Sequence, residues 1–554
     1  MFSFNLVDKE WIPCIMPDGR RMDMSLRDTL VKALDIKEIL DPSPLITATL
    51  HRFLLAILHR NFGPANEKKW QKLWGAGKWD ETKLLTYLDK WRDRFDLFSE
   101  KYPFYQCASL PFTITDSKGK PKIYEKPIAK LTHELASGDN ATLFDHTFED
   151  NPKAVSPADA ARLLIAFQAF AIGGLITRQE GEVPSADNAP MVKGAVVLVK
   201  GGNLFQTLML NLHKYNRDDE EPFAIDTDDA PFWERDKEIH TEDRRPKGYL
   251  DLLTWQSRRI KLRPEQGENG QIVVKQVVIM KGNQFPDGFT LHQKEPMLAF
   301  NKVKRPGKNQ DPWPPVAFQE DWALWRDSLT LFQHIKKRDE RTRPKTLEWL
   351  HDLCASGIIP ESSTYDLSLM GLVTSKAKIS LWRHERLPLP LAYLEDEALI
   401  ARLKDALDLA ESAGTALQSS AWNLARLTIA PNAEKLNDNQ KKDANNLSDH
   451  LAITRPYWAQ LGISFNYLLT NLAQDRVEID GEVIYGQNSL PWWAGEVRRA
   501  AQLAFREATD SLDRSGRMLK AVTLAEHNFN LWLNTRLKEF LRPYQNSEKK
   551  GGEA

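Results

Sequence analysis

The stretch WRHERLPLPLAYLEDEA, Trp382 to Ala398, separates two kinds of sequence. Pro388 and Pro390 in its centre are expected to break regular structure. Glu395, Asp396 and Glu397 then supply the negative charge that suits a helix N-terminus. Downstream, nearly everything reads as helix. Leu399, Leu403, Leu407 and Ala410 fall on one helical face, and Val522, Ala525, Phe529, Leu533, Leu537 and Phe540 do the same near the end. Turn signals near Pro431, at Asp480-Gly481 and at Ser515-Gly516 divide this region into a bundle of about four helices.

Upstream, strands and helices mix without a regular βαβ rhythm. Short strands flank a Pro17-Asp18-Gly19 turn, and helical patterns occupy residues 45–63 and 68–98. Trp70, Trp74 and Trp91 in the second of these read as core anchors. A helix opens at Ser156, a capping residue, with Pro157 in its first position and Asp159 in its first turn. Its apolar positions run to Ala171, and Gly173-Gly174 is placed to stop it. The expected fold class is α+β. A mixed N-terminal domain covers residues 1–388, a helical bundle 389–545, and a disordered tail 546–554.

A chain of 554 residues is long enough for two or three domains. With 42% hydrophobic and 27% charged residues it has the composition of a folded globular protein, and its formal net charge is −1. Three widely spaced cysteines, Cys14, Cys107 and Cys354, argue against a disulfide framework or a thiolate zinc site. No apolar run reaches the ~20 residues of a membrane helix, and the N-terminus lacks the pattern of a signal peptide. The expected location is the cytoplasm, with no membrane partner.

Charge is uneven along the chain. Between Arg244 and Lys308, 14 basic residues face 5 acidic ones, and between Arg498 and Arg542 there are 9 against 5. Such runs are either solvated faces or phosphate-facing surfaces, since each neutralised phosphate releases counterions. Signs of catalysis are sparse: no P-loop, nucleophile elbow or HExxH is present. His51 and His59 lie about two helical turns apart, too far to share a metal. In ATLFDHTFEDNP, residues 141–152, Asp145 and His146 invite an acid–base or metal-ligand reading, as in a metal-free hydrolase. Adjacent side chains usually point apart, however, and hydrogen bonding within their own loop is the simpler reading.

In order and spacing, several segments resemble the large subunit of the type I-E CRISPR surveillance complex, Cascade. They are FNLVDKEWIP (4–13), ATLFDHTF (141–148), AFAIGGL (169–175), APMVKGAVVLVKGGNLFQTLMLNL (189–212), WRHERLPLP (382–390) and the C-terminal bundle. The resemblance implies a non-catalytic subunit without a cofactor. Its partners would be the guide RNA, double-stranded target DNA, other Cascade subunits and a trans-acting nuclease-helicase. Such a subunit recognises the protospacer-adjacent motif and helps open the duplex, while base pairing with the guide reads the rest. A helical scaffold without DNA contact is the competing reading.

Carried onto this sequence, the resemblance assigns Phe144, with Asp145 and His146, to a guide-RNA and motif loop, where an aromatic can stack on a base or lie buried under its own loop. Gly173 and Gly174 correspond to a minor-groove glycine loop, where bare backbone approaches base edges; a plain helix C-cap is the alternative. Lys281, counted from the downstream GFTLHQKEP, corresponds to a lysine finger, with Lys275 next in line if the strand register slips. Ser375, Lys376, Ala377 and Lys378 fall at the tip of a strand-separating wedge, without the glutamine often found there. Arg498, Arg499 and Arg506 are candidates to guide the displaced strand.

Overall fold

The computed structural model describes residues 2–115, 121–132, 153–179, 181–216, 228–304, 312–319, 323–332, 341–375, 378–431, 435–479, 481–510 and 512–545. Two units emerge. The first comprises Met1–Glu320, Ile335–Pro360 and Tyr365–Arg386; the second comprises Asp321–His334, Glu361–Thr364 and Leu387–Ala554. The main crossing between them, Arg386 to Leu387, lies inside the WRHERLPLP motif. The fold class is α+β, with a mixed N-terminal part and a helical C-terminal part. No helix among the described residues is long and apolar enough to cross a membrane.

The first unit opens with β1 (Ile12–Ile15) and β2 (Arg21–Met24), an antiparallel pair whose turn needs Gly19 at φ 85°. β3 (Glu38–Ile39) adds to the other side of β1. Next, α1 (Pro44–Phe62) is the centre of the core, since every residue from Pro44 to His59 is buried. A surface helix buries one stripe; this one is covered all round. Trp11, Phe95, Phe104, Tyr105 and Trp233 surround Phe53 on it at ring-centroid distances of 5.5–6.4 Å. Arg52, also on α1, makes a two-pronged ion pair with Glu295, at 2.7 and 3.0 Å, in full burial.

His51 and His59 are both core residues, and their Nδ1 atoms lie 2.7 and 2.9 Å from the carbonyls of Thr47 and Leu55. Burial holds the His51 pKa down to about 3 and that of His59 to about 4, and pushes His213, beside His59, well below its ordinary range. The folded chain therefore refuses protons that the unfolded chain accepts below pH ~6.5. Stability is fully present above that pH and falls as pH drops toward the folded values. At pH 5 each such histidine is expected to cost about 2 kcal/mol. Chemical denaturation at pH 7 and pH 5 measures the loss.

Further along, β4 (Glu125–Pro127) lies as an edge strand beside a long hairpin formed by residues more than a hundred positions later. The helix expected at Ser156 forms as α2 (Pro157–Phe170), and the Ser156 side chain accepts from the Asp159 amide. It is followed by β5 (Gly174–Leu175), β6 (Ser185–Ala186) and β7 (Val196–Lys200). β8 (Arg258–Gln266) and β9 (Ile272–Lys281) form the antiparallel hairpin that β4 extends to three strands, in the order β8-β9-β4. β10 (Thr364–Ser375) and β11 (Lys378–Pro390) join β7 in a sheet ordered β11-β10-β7.

Pro388 and Pro390 do not break β11. It is an edge strand, and a proline there sacrifices no ladder hydrogen bond if its nitrogen faces outward. The break comes after Pro390. Asp396 caps the next long helix, accepting from the amides of Ala398 and Leu399.

In the second unit that helix is α3 (Glu397–Ile429), followed by α4 (Asp438–Leu451), α5 (Thr454–Gln474), α6 (Ser489–Asp510) and α7 (Gly516–Gln545). The stretch read as one helix is split into α4 and α5 where Ala452 takes a left-handed φ of 44°. All four others pack on α3. Leu399, Leu403, Leu407 and Ala410 face this core from α3, and Ala525, Phe529, Leu533 and Leu537 face it from α7. Residues 324–332 also belong here. Trp325 stacks on Phe465 at 4.4 Å, and the Arg326 guanidinium forks onto Glu411 while lying 3.6 Å from the Trp458 ring centre.

Candidate nucleic-acid interface

The glycine pair follows α2, but it is not a helix cap. Ala171 ends the helix in an extended conformation, and its amide closes on the Phe167 carbonyl. Gly173 and Gly174 instead start a small hairpin: Gly174 pairs with Ala186, Leu175 with Ser185, and the Ile176 amide donates to the Pro184 carbonyl at 2.9 Å. The two glycines serve different needs. A Cβ on Gly173 would lie 2.8 Å from the Asn188 amide nitrogen and 2.9 Å from the Ala186 carbonyl oxygen, so the two legs touch through bare backbone. Gly174 has φ 143°, which favours glycine, and nothing lies within 4 Å of its missing Cβ. The outer side is open, and beside it Leu175 is 91% exposed.

The same hairpin meets the end of β9. Thr177 bridges to Met280, next to Lys281. Glu182, on the returning leg, accepts from the Gln179 amide at 3.0 Å and pairs with Arg259. Arg259 Nε donates to the Lys281 carbonyl at 2.7 Å, and Thr241 Oγ1 donates to it at 3.2 Å. The Lys281 side chain is 14% exposed, with its Nζ 3.8 Å from Asp243, too long for a hydrogen bond. Two groups of residues 107 positions apart in sequence, Gly174 and Lys281, thus share one corner of the first unit.

Lys275 does not join them. It is the extra residue of a β-bulge, because Arg263 pairs with Gln276 while Pro264 pairs with Val274. Its Nζ lies 2.8 Å from Glu265. Six residues along the strand put it ~20 Å from Lys281. Ser375 and Lys378 end the two strands of the β10–β11 hairpin, while Lys376 and Ala377 lie outside the described residues. So do Phe144, Asp145 and His146. Arg498, Arg499 and Arg506 are exposed on α6; Arg499 and Arg506, seven apart, share a stripe, and Arg499 also holds Glu496 at 2.6 Å.

The basic run from Arg244 to Lys308 needs correcting as a surface. Arg244 forks onto the buried carboxylate of Asp251 at 2.6 and 3.0 Å, and Lys261 donates to the carbonyls of Ala108 and Leu110. Arg263 pairs with Glu125, Lys247 with Asp228, and Arg258 and Arg259 are buried. Much of the apparent excess charge is internal bonding. Counting charges along a sequence missed this because it does not show which cations are buried, and because partners such as Glu125, Asp228 and the carbonyls of Ala108 and Leu110 lie outside the run. Arg258 and Glu182 were missed for the same reason.

The family model for CRISPR-associated protein Cse1 matches residues 5–504. CRISPR-associated protein CasA/Cse1 of Thermus thermophilus is 31% identical over 548 residues, covering 95% of this chain and 96% of its own. The chain belongs to the Cse1/CasA family. The resemblance to the type I-E large subunit is thereby borne out. The crystal structure of Cse1 from Acidimicrobium ferrooxidans is 25% identical, with a TM-score of 0.76, covering 98% of this Cse1/CasA-family chain and 99% of its own. A chain from a solved CRISPR RNA-guided surveillance complex shares the fold at 19% identity. Its TM-score is 0.70, with 95% of this chain and 99% of the other covered.

Proposed function

We propose that this chain works in the cytoplasm as the subunit of a type I-E complex that reads the protospacer-adjacent motif in double-stranded DNA. The observation that carries this reading is the corner shared by the glycine hairpin and Lys281 in a Cse1/CasA-family chain. The bare outer side of Gly174 can lie along a minor-groove floor, where a side chain would hold the backbone away from the base edges. Lys281, with its ammonium only loosely held by Asp243, supplies a cation for a neighbouring phosphate or base edge.

Opening of the first pairs follows from binding. Contacts to the motif offset the few kcal/mol of unstacking, and a wedge at Ser375–Lys378 enters beside them. Guide pairing then continues the exchange of one duplex for another, which is close to balanced in energy. Phe144, Asp145 and His146 contact the guide RNA end, and Arg498, Arg499 and Arg506 follow the displaced strand. The subunit itself cuts nothing and recruits the nuclease-helicase.

Lys281→Glu tests the reading. In the assembled complex it is expected to weaken binding to a motif-bearing duplex and to reduce the slope of log K against log salt by about 1, the value of one lost phosphate contact. Unchanged affinity across the salt series would favour a scaffold subunit that does not touch DNA.

A further inference from the structure

Arg258 is a buried cation whose hydrogen bonds go to carbonyls rather than to a carboxylate. It is 2% exposed, and burial lowers its pKa to about 10, which leaves it charged at neutral pH. One terminal nitrogen donates to the Ser257 carbonyl at 2.9 Å. The other reaches Asp187 at 2.7 Å, Ile172 at 3.0 Å and Ala171 at 3.5 Å. Ile172 immediately precedes Gly173 on the outgoing leg of the hairpin, and Asp187 follows Ala186 on the returning leg. The carbonyls of Ala171 and Ile172 also lie just beyond the C-terminal end of α2, where the helix dipole favours a positive charge. Together with the charge of the nearby Asp187 carboxylate, that explains how a guanidinium can be buried here with no carboxylate hydrogen-bonded to it.

Gln284 completes the arrangement. Its Oε1 accepts from the Asp187 amide at 2.6 Å, while its Nε2 donates to the carbonyls of Asn283 and Ser257. Asp187 is therefore held on both sides of its backbone. Gln168 of α2 grips the backbone of Arg258 itself, accepting from its amide at 2.9 Å and donating to its carbonyl at 2.8 Å. In the β8–β9 register Arg258 stands opposite Lys281.

We propose that Arg258 and Gln284 form a positioning clamp that fixes both legs of the glycine hairpin relative to Lys281, and so sets the spacing with which the motif is read. The clamp deepens the function proposed above and rests on it. Neither residue needs to touch DNA. A rigid hairpin presents Gly174 and Leu175 at one distance from Lys281; a loose one presents a range of distances and loses discrimination between motifs. Lysine cannot replace Arg258 fully, because a single ammonium cannot reproduce the planar fork, one nitrogen of which bridges the two legs while the other holds the Ser257 carbonyl.

The test compares complexes assembled with wild-type chain, Arg258→Met, Arg258→Lys and Gln284→Leu. Each is offered a motif-bearing duplex, the same duplex without the motif, and the target as a single strand, which needs guide pairing but no motif reading. The clamp predicts that Arg258→Met lowers affinity for the motif-bearing duplex at least tenfold and leaves single-strand binding within twofold. Arg258→Lys should fall between, and Gln284→Leu should show a smaller loss of the same kind. Amide hydrogen exchange should rise between Gly173 and Asn188 in each variant. Wild-type motif preference retained in Arg258→Met would overturn the proposal, as would an equal loss on duplex and single strand, which marks a general fold defect. If Arg258→Met does not assemble, Gln284→Leu decides, since it strands no charge: lost preference upholds the clamp and unchanged preference overturns it. A wild-type complex with no motif preference would overturn the underlying reading along with the clamp.

Discussion

Gly173→Val is expected to weaken binding of the assembled complex to a motif-bearing duplex about 10- to 100-fold, while guide-RNA retention stays unchanged. The steric reason is local. Even the first added carbon would come within 3 Å of backbone atoms at Ala186, Asp187 and Asn188. Backbone cannot rotate aside as a side chain can, so the two legs must separate. Overpacking of this kind costs ~1–3 kcal/mol, and every 1.4 kcal/mol spent on reaching the binding geometry is a factor of ten in affinity. Gly174→Ala acts differently. It adds a methyl group on the open side, where no protein atom lies within 4 Å, and strains a backbone at φ 143°, so the loss there combines blocked contact with DNA and backbone strain without forcing the two legs apart. Gel-shift or anisotropy titration of both variants measures the two losses.

Glu295→Ala is expected to lower the unfolding free energy by about 3–5 kcal/mol, because it leaves Arg52 charged and buried without its partner. The carboxylate also accepts from the Met297 amide at 3.0 Å, so a backbone donor loses its acceptor in the same step. The pair ties α1, the centre of the core, to a segment 243 residues away in sequence. Urea denaturation measures the effect. A companion variant that replaces Arg52 and Glu295 together with apolar residues of similar size should cost much less, since no charge is then stranded.

Much of the architecture was legible because it follows from local rules. The cap at Ser156, the turn at Gly19, the apolar faces of α3 and α7 and the change to helix after Pro390 depend on residues close in sequence. What failed depended on neighbours distant in sequence. Pro388 and Pro390 looked like a break because nothing local says that β11 is an edge strand. Gly173 and Gly174 looked equally like a helix cap, since their partners at Ala186–Asn188 come 12 or more residues later. Lys275 and Lys281 carry the same charge on one strand, and only the bulge at Arg263–Pro264 separates their surroundings. The run of positive charge around Arg258 looked like a surface because the carbonyls that take up its hydrogen bonds carry no signature in sequence.

This chain is expected to give its complex a preference for the motif. The direct measurement is competition between two target duplexes, identical except for the motif, for a limited amount of reconstituted complex at fixed salt. At least tenfold preference for the motif-bearing duplex is expected, reduced toward equality by Gly173→Val. Equal binding of the two duplexes by the wild-type complex would contradict it.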